Sequence, residues 1–233
     1  MKKSVKKSQR LFLILAFSLT SSVISAQGNF STGADIVSSY VWRGIAQGSN
    51  EPNIQPSVSY TNSKFSIGTW GSGNFSGNLK EFDLYATYSF SSQIAVTLTD
   101  YNWIFSKKYF DYSNETNHIF EATLAYTGGE SFPLSASLNT MFAGADKKAD
   151  GDNAYSTYVE LGYPLSSNAK IFCGASLFES PSVYATSGFD VTNIGLKVSK
   201  PIEITEKFSL PVYGIVGFNP SANNAFLVAG VTL

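Results

Sequence analysis

Period-two alternation constrains this chain more than any other feature. In "EFDLYATYSF", Phe82, Leu84, Ala86, Tyr88 and Phe90 fall on one parity, and Glu81, Asp83, Tyr85, Thr87 and Ser89 on the other. A strand sends successive side chains to opposite faces and gives this pattern; a helix of 3.6 residues per turn does not. "PNIQPSVSY" sets Ile54, Pro56, Val58 and Tyr60 against Asn53, Gln55, Ser57 and Ser59. "FPLSASLNTMF" sets Leu134, Ala136, Leu138 and Phe142 against Ser135, Ser137 and Asn139, and "YSTYVELGY" sets Val159, Leu161 and Tyr163 against Ser156, Tyr158 and Glu160. Runs of this kind between turn residues predict strands near 32–42, 52–61, 64–73, 80–90, 93–105, 118–127, 132–142, 154–164, 169–178, 188–199, 207–218 and 225–233. Each is close to the roughly 9 to 11 residues that a tilted strand needs to cross a bilayer.

The connections sort by parity. "TN", "SS", "TGGES" and "SSN" are compact, with "PIEITE" the long member of that set. The alternate set, "RGIAQGSNE", "GNFSGN", "SKKYFDYSNETN", "AGADKKADGD", "ESPSVYATSG" and "NPSANN", is mostly longer and rich in Gly, Asn, Ser and charge. Short turns on one rim and longer loops on the other are the mark of a membrane barrel. An unpaired backbone N–H or C=O costs several kcal/mol in a bilayer, so such a sheet has to close, and "AFLVAGVTL" is strand-like to the last residue. The expected fold is therefore all-β, a transmembrane antiparallel β-barrel of about 12 strands, over residues 27–233. The alternative is a soluble β-sandwich.

Composition agrees with a wall facing lipid. Only 14% of the 233 residues are charged and 15% are aromatic, against about 25% charged in an ordinary soluble domain. A formal net charge of -1 offers no basic stripe for nucleic acid. The N-terminus carries Lys2, Lys3, Lys6, Lys7 and Arg10, then the apolar "LFLILAFSL" and the small, polar "TSSVISA". This reads as a signal peptide over residues 1–26, too short in its apolar run to be a membrane anchor. The expected destination is the outer membrane of a Gram-negative bacterium. Partners there would be outer-membrane lipid, the outer-membrane assembly machinery and small hydrophilic solutes; the sequence is silent on oligomeric state.

In "SSYVWRGIAQ", Tyr40 and Trp42 share a face at the end of the first predicted strand, which suits an aromatic girdle at the membrane surface. Arg43 falls on the opposite face, and Gly44 lets the chain turn. The lumen-facing parity also offers Glu81, Asp83, Glu121, Glu160 and Lys197. These six are the candidate pore-lining residues, and the excess of acids predicts a weak preference for cations. Pairing of these charges across a plugged lumen is the competing expectation. Strand 93–105 changes parity between Ile94, Val96, Leu98 and Tyr101, Trp103, Phe105, which predicts a bulge near Thr99 or Asp100. Trp70 is ambiguous between lipid and lumen.

"SSYVWRGIAQGSNEPNIQPSVSY", "FSIGTWGSGNF" and "EFDLYATYSF" together resemble the N-terminal part of the TorF-family porins of bacteria, over residues 35–90. The resemblance implies an outer-membrane channel and singles out Arg43; it implies no catalytic residue and no particular solute. Many outer-membrane barrels end in phenylalanine, whereas this chain ends in Leu233. A non-conducting barrel acting through its loops as an adhesin or scaffold is the alternative function. One histidine, His118, and one cysteine, Cys173, leave little for a catalytic triad or a metal cluster, so neither enzyme activity nor a cofactor is expected. "GADKKADGDN" has acids at Asp146, Asp150 and Asp152 but lacks EF-hand spacing, and reads as a solvated loop.

Overall fold

A computed structural model describes residues 28–103, 108–113 and 116–233. The signal peptide expected over residues 1–26, and Phe105, lie outside the described residues. In chain order the strands are β1 Asn29–Val37, β2 Val41–Trp42, β3 Ile45–Ala46, β4 Asn53–Asn62, β5 Phe65–Asn74, β6 Lys80–Ser89, β7 Ile94–Asn102, β8 His118–Tyr126, β9 Ser135–Gly144, β10 Thr157–Ser166, β11 Ala169–Ser176, β12 Glu179–Ser180, β13 Thr186–Ser187, β14 Asp190–Thr205, β15 Phe208–Asn219 and β16 Asn224–Thr232. Twelve of them form one closed antiparallel barrel in the order β1-β16-β15-β14-β11-β10-β9-β8-β7-β6-β5-β4. The remaining four make two small hairpins, β2–β3 and β12–β13. The expected all-β, 12-stranded barrel is therefore the observed fold.

The wall is built as the alternation requires. Tyr88 pairs with Val96, Val96 with Leu124, Leu124 with Leu138 and Leu138 with Val159, one outward row crossing five strands. Tyr163, Ile171, Leu196, Val216 and Leu227 form a second row. Leu84, Leu98, Leu124 and Leu138 are 38–51% exposed; in a soluble sandwich such positions would form the buried core.

Aromatic residues collect on the outward face toward the short-turn rim. Tyr60 and Phe65 flank one turn, Tyr88 and Phe90 another, and Tyr126 and Phe132 a third; Phe65 is the direct cross-strand partner of Tyr88, and the Phe30 and Tyr60 rings are 4.8 Å apart. At the other end of the wall Phe120 and Phe142 lie 6.2 Å apart. The girdle expected of Tyr40 and Trp42 is thus carried by other residues. The first barrel strand ends at Val37 and those two side chains turn inward, Tyr40 being buried against Trp70, with ring centroids 5.5 Å apart. That contact also places Trp70 inside.

Two further expectations are corrected by the register. β7 pairs with β8 without interruption from Ile94–Tyr126 to Asn102–His118, so there is no bulge at Thr99 or Asp100. Tyr101 and Trp103 therefore stay on the inward parity of Thr97 and Thr99. "PIEITE" is not a loop: β14 and β15 continue as a paired ribbon through Pro201–Pro211 and Ile202–Leu210, and only residues 206–207 turn. Beyond Val198 on β14 the ribbon leaves β11, and beyond Val212 on β15 it leaves β16. It projects past the rim with Pro201 and Pro211 in its edges, where a missing N–H discourages further pairing.

Closure rests on a short seam. β1 pairs with β4 over nine residues but with β16 over only Asp35–Thr232, Ile36–Val231 and Val37–Gly230. The last residue extends it: Leu233 N–H donates to Ala34 O at 2.9 Å, and Ala34 N–H to Leu233 O at 3.3 Å. Deleting residues 231–233 removes most of this seam. The truncated chain is expected to lose the heat-modifiable electrophoretic shift of a closed barrel when refolded in detergent; an unchanged shift would show that the seam is dispensable.

Candidate functional site: an arginine-tipped hairpin inside the barrel

After β1 the chain folds into the lumen as the β2–β3 hairpin. Trp42 pairs with Ile45, leaving Arg43 and Gly44 as a two-residue turn with φ of 52° and 82°. Positive φ at both central residues is the type I′ pattern, whose twist matches a tight hairpin. Glycine is required at the second position for a second reason: a Cβ on Gly44 would lie 1.9 Å from the backbone oxygen of Thr192 on the barrel wall. Arg43 holds a left-handed conformation that disfavours side chains bearing a Cβ, a strain that persists only where surrounding contacts over-determine it.

Those contacts are dense. Arg43 Nη1 donates to Glu121 Oε2 at 2.6 Å and to the Tyr184 hydroxyl at 2.5 Å, while Nη2 donates to Glu121 Oε1 at 2.8 Å. The fork-to-carboxylate geometry is the strong bidentate form of an ion pair. The two side chains are only 10% and 1% exposed. The guanidinium carbon also sits 4.4 Å from the Trp42 ring centroid and 4.9 Å from that of Tyr158. Trp42 and Tyr158 each stack on Tyr184, at 5.8 and 5.5 Å, and Trp42 meets Tyr101 and Trp103 edge-on. Tyr101 donates a further hydrogen bond to Glu121 at 3.1 Å. Burial pushes the Tyr184 phenol above its ordinary pKa, with the Arg43 charge opposing the shift, so the hydroxyl stays neutral while it accepts from Arg43.

Tyr184 arrives from the β12–β13 hairpin, which is tied down by Asp146. The Asp146 carboxylate accepts from Ser156 N–H at 2.8 Å and from the hydroxyls of Ser156 and Ser182 at 2.7 and 3.2 Å. Asp146 thus serves as a buried loop anchor; Asp150 and Asp152 stay exposed, and no group of metal-ligating side chains occurs among the described residues. On the far side of the barrel, Asn219 Nδ2 donates to Gly44 O at 3.2 Å. The inward hairpin is therefore held on both flanks.

The structure brings together some of the six sequence-picked charges and separates others. All face the interior. Arg43 and Glu121 are ion-paired. Glu81 and Asp83 lie buried on β6, where Asp83 accepts from Asn102 N–H at 3.2 Å, while the Glu81 carboxylate has no hydrogen-bond partner among the described residues. Glu160 Oε2 accepts from Tyr158 at 2.8 Å and Asn193 at 3.2 Å. Lys197 is on the opposite wall, its Nζ 4.2 Å above the Tyr213 ring. Arg43 reaches the interior from a hairpin tip and not from a barrel strand, as its place in the predicted first strand implied.

Sequence reasoning passed over Tyr101, Trp103, Tyr158, Tyr184 and Lys170. Parity marks all but Tyr184, since Tyr101 and Trp103 continue Thr97 and Thr99, Tyr158 accompanies Glu160, and Lys170 accompanies Phe172 and Gly174. Tyr184 lies in a loop, where alternation carries no information. No curated protein matches the chain. A family model described as a bacterial protein of unknown function matches residues 24–173. With that match spanning the inward hairpin and the wall through β10, the chain belongs to the bacterial family Gcw_chp.

Proposed function

We propose that this protein is an outer-membrane channel for passive diffusion of small hydrophilic solutes, narrowed on the loop side by the Arg43 hairpin. The observation that carries the reading is a polar interior enclosed by a closed wall whose outward rows are apolar and aromatic-belted. The resemblance of residues 35–90 to TorF-family porins and the predicted signal peptide point the same way. Bilayer lipid solvates the wall, outer-membrane assembly machinery inserts it, and transport involves no reaction or cofactor. The cation preference expected from counting acids loses its basis, because Glu121 is neutralised by Arg43 and the Glu81 and Asp83 side chains are withdrawn from water.

The filled loop-side half of the lumen favours a second reading, a non-conducting barrel that acts through its loops. Single-channel recording of refolded protein in planar bilayers separates the two. Small steady steps are expected from the native chain, and larger ones from R43A, which loses the pin holding the hairpin across the lumen. Silence from both proteins would leave the scaffold reading.

A further inference from the structure

The short-turn half of the lumen is lined differently from the half that the hairpins occupy. Lys170 on β11 and Lys197 on β14 are direct cross-strand partners. Both point inward and line a cavity of about 240 Å³ together with Arg43, Glu160, Phe172 and Asn193. A second cavity of about 360 Å³ shares Lys170 and Glu160 and reaches Thr127 and Pro133 in the short-turn rim. Lys170 therefore stands where the two meet, on the side of the lumen that the hairpins leave open.

Like charges directly opposite on one face of a ladder destabilise it, so this pair is a cost to the wall. Nothing in the described structure neutralises it, since neither ammonium lies within salt-bridge distance of a carboxylate among the described residues. Glu160, which lines the same cavity, is engaged by Tyr158 and Asn193, and Asp35 on β1 by the Tyr213 hydroxyl at 3.2 Å, all neutral donors. The surroundings make room for the lysines instead. Lys170 lies across Gly162, where a Cβ would come within 2.0 Å of its Cε, and Lys197 is steered over the Tyr213 ring.

We propose that Lys170 and Lys197 form a binding site for a small dianion, an oxyanion of the phosphate or dicarboxylate class, entered from the short-turn rim. Both side chains line the same cavity, Lys170 from over Gly162 on β10 and Lys197 from over the Tyr213 ring on β15, so a small dianion in it meets an ammonium on each side. A cavity of about 240 Å³ admits a small anion. Only the consequence for selectivity rests on the channel reading: with Lys170 and Lys197 against the single unpaired carboxylate of Glu160 in the cavity, the wall charge there favours anions over cations.

Calorimetric titration of the refolded protein with inorganic phosphate at low salt tests the site without requiring conduction. One saturable site is expected, weakened about tenfold or more in K170Q/K197Q, retained in K170R/K197R and unchanged in K148Q, which alters an exposed loop. Absence of saturable binding to the native protein, or equal binding by K170Q/K197Q, overturns the proposal. Should the double variant fail to give a heat-modifiable barrel, K170Q alone decides in the same way, because Lys170 is exposed to the lumen and its loss leaves the wall intact. A silent bilayer alongside saturable phosphate binding would sink the channel and leave the site standing.

Discussion

Replacing Arg43 with alanine is expected to destabilise the refolded barrel by about 3–5 kcal/mol, the cost of stranding a buried carboxylate without its partner. Glu121 is 1% exposed and would keep only the Tyr101 and Thr123 hydroxyls as donors. Urea titration of the protein in lipid vesicles measures the loss. The sign of a second comparison follows from the same physics. R43M/E121M removes both charges and leaves no orphan, so it is expected to lose less stability than R43A alone despite altering two residues. If R43A unfolds within about 0.5 kcal/mol of the native chain, the hairpin is held by its backbone contacts, such as Asn219 to Gly44, and the ion pair contributes nothing measurable.

The second large effect concerns parity in the wall. Val58 is 45% exposed on the outward face near the middle of β4, whereas Ser59, one residue on, faces the lumen. Arginine at a lipid-facing mid-wall position costs about 2–4 kcal/mol, and the same residue in a wet lumen costs little. V58R is therefore expected to lose most of that amount in vesicles while S59R stays close to native. Equal losses for the two variants would mean that the outward face is not in hydrocarbon, and the membrane reading would fall with it.

Alternation was read correctly in the wall because each barrel strand repeats one local rule, lipid on one side and water or packed polar groups on the other. The same rule holds along β7, where no bulge breaks it. The change of parity between Leu98 and Tyr101, Trp103 predicts a bulge near Thr99 or Asp100. The unbroken β7–β8 register keeps Tyr101 and Trp103 inside, where they pack on Trp42 and Glu121. Tyr40 and Trp42, expected in a girdle from their shared face at a strand end, turn inward instead. The turn at Arg43–Gly44 was recognised, yet a strand that simply stops and a hairpin that folds back into the lumen differ by contacts with Glu121, Thr192 and Asn219, distant in sequence by 78 residues or more.

By itself the sequence determined the all-β class, the approximate number of strands, the sorting of connections by length and the inward parity of the five candidate charges on barrel strands, Glu81, Asp83, Glu121, Glu160 and Lys197. These follow from side-chain direction and from the refusal of a bilayer to accept unpaired backbone, both of which act along a single strand. Only the tertiary structure decided that Arg43 meets Glu121 beneath Tyr184, that the acids are withdrawn from water, and that Lys170 and Lys197 stand side by side without a counter-charge. Those outcomes depend on which strands become neighbours and on how two hairpins share one lumen, and parity says which way a side chain points without saying what it will meet.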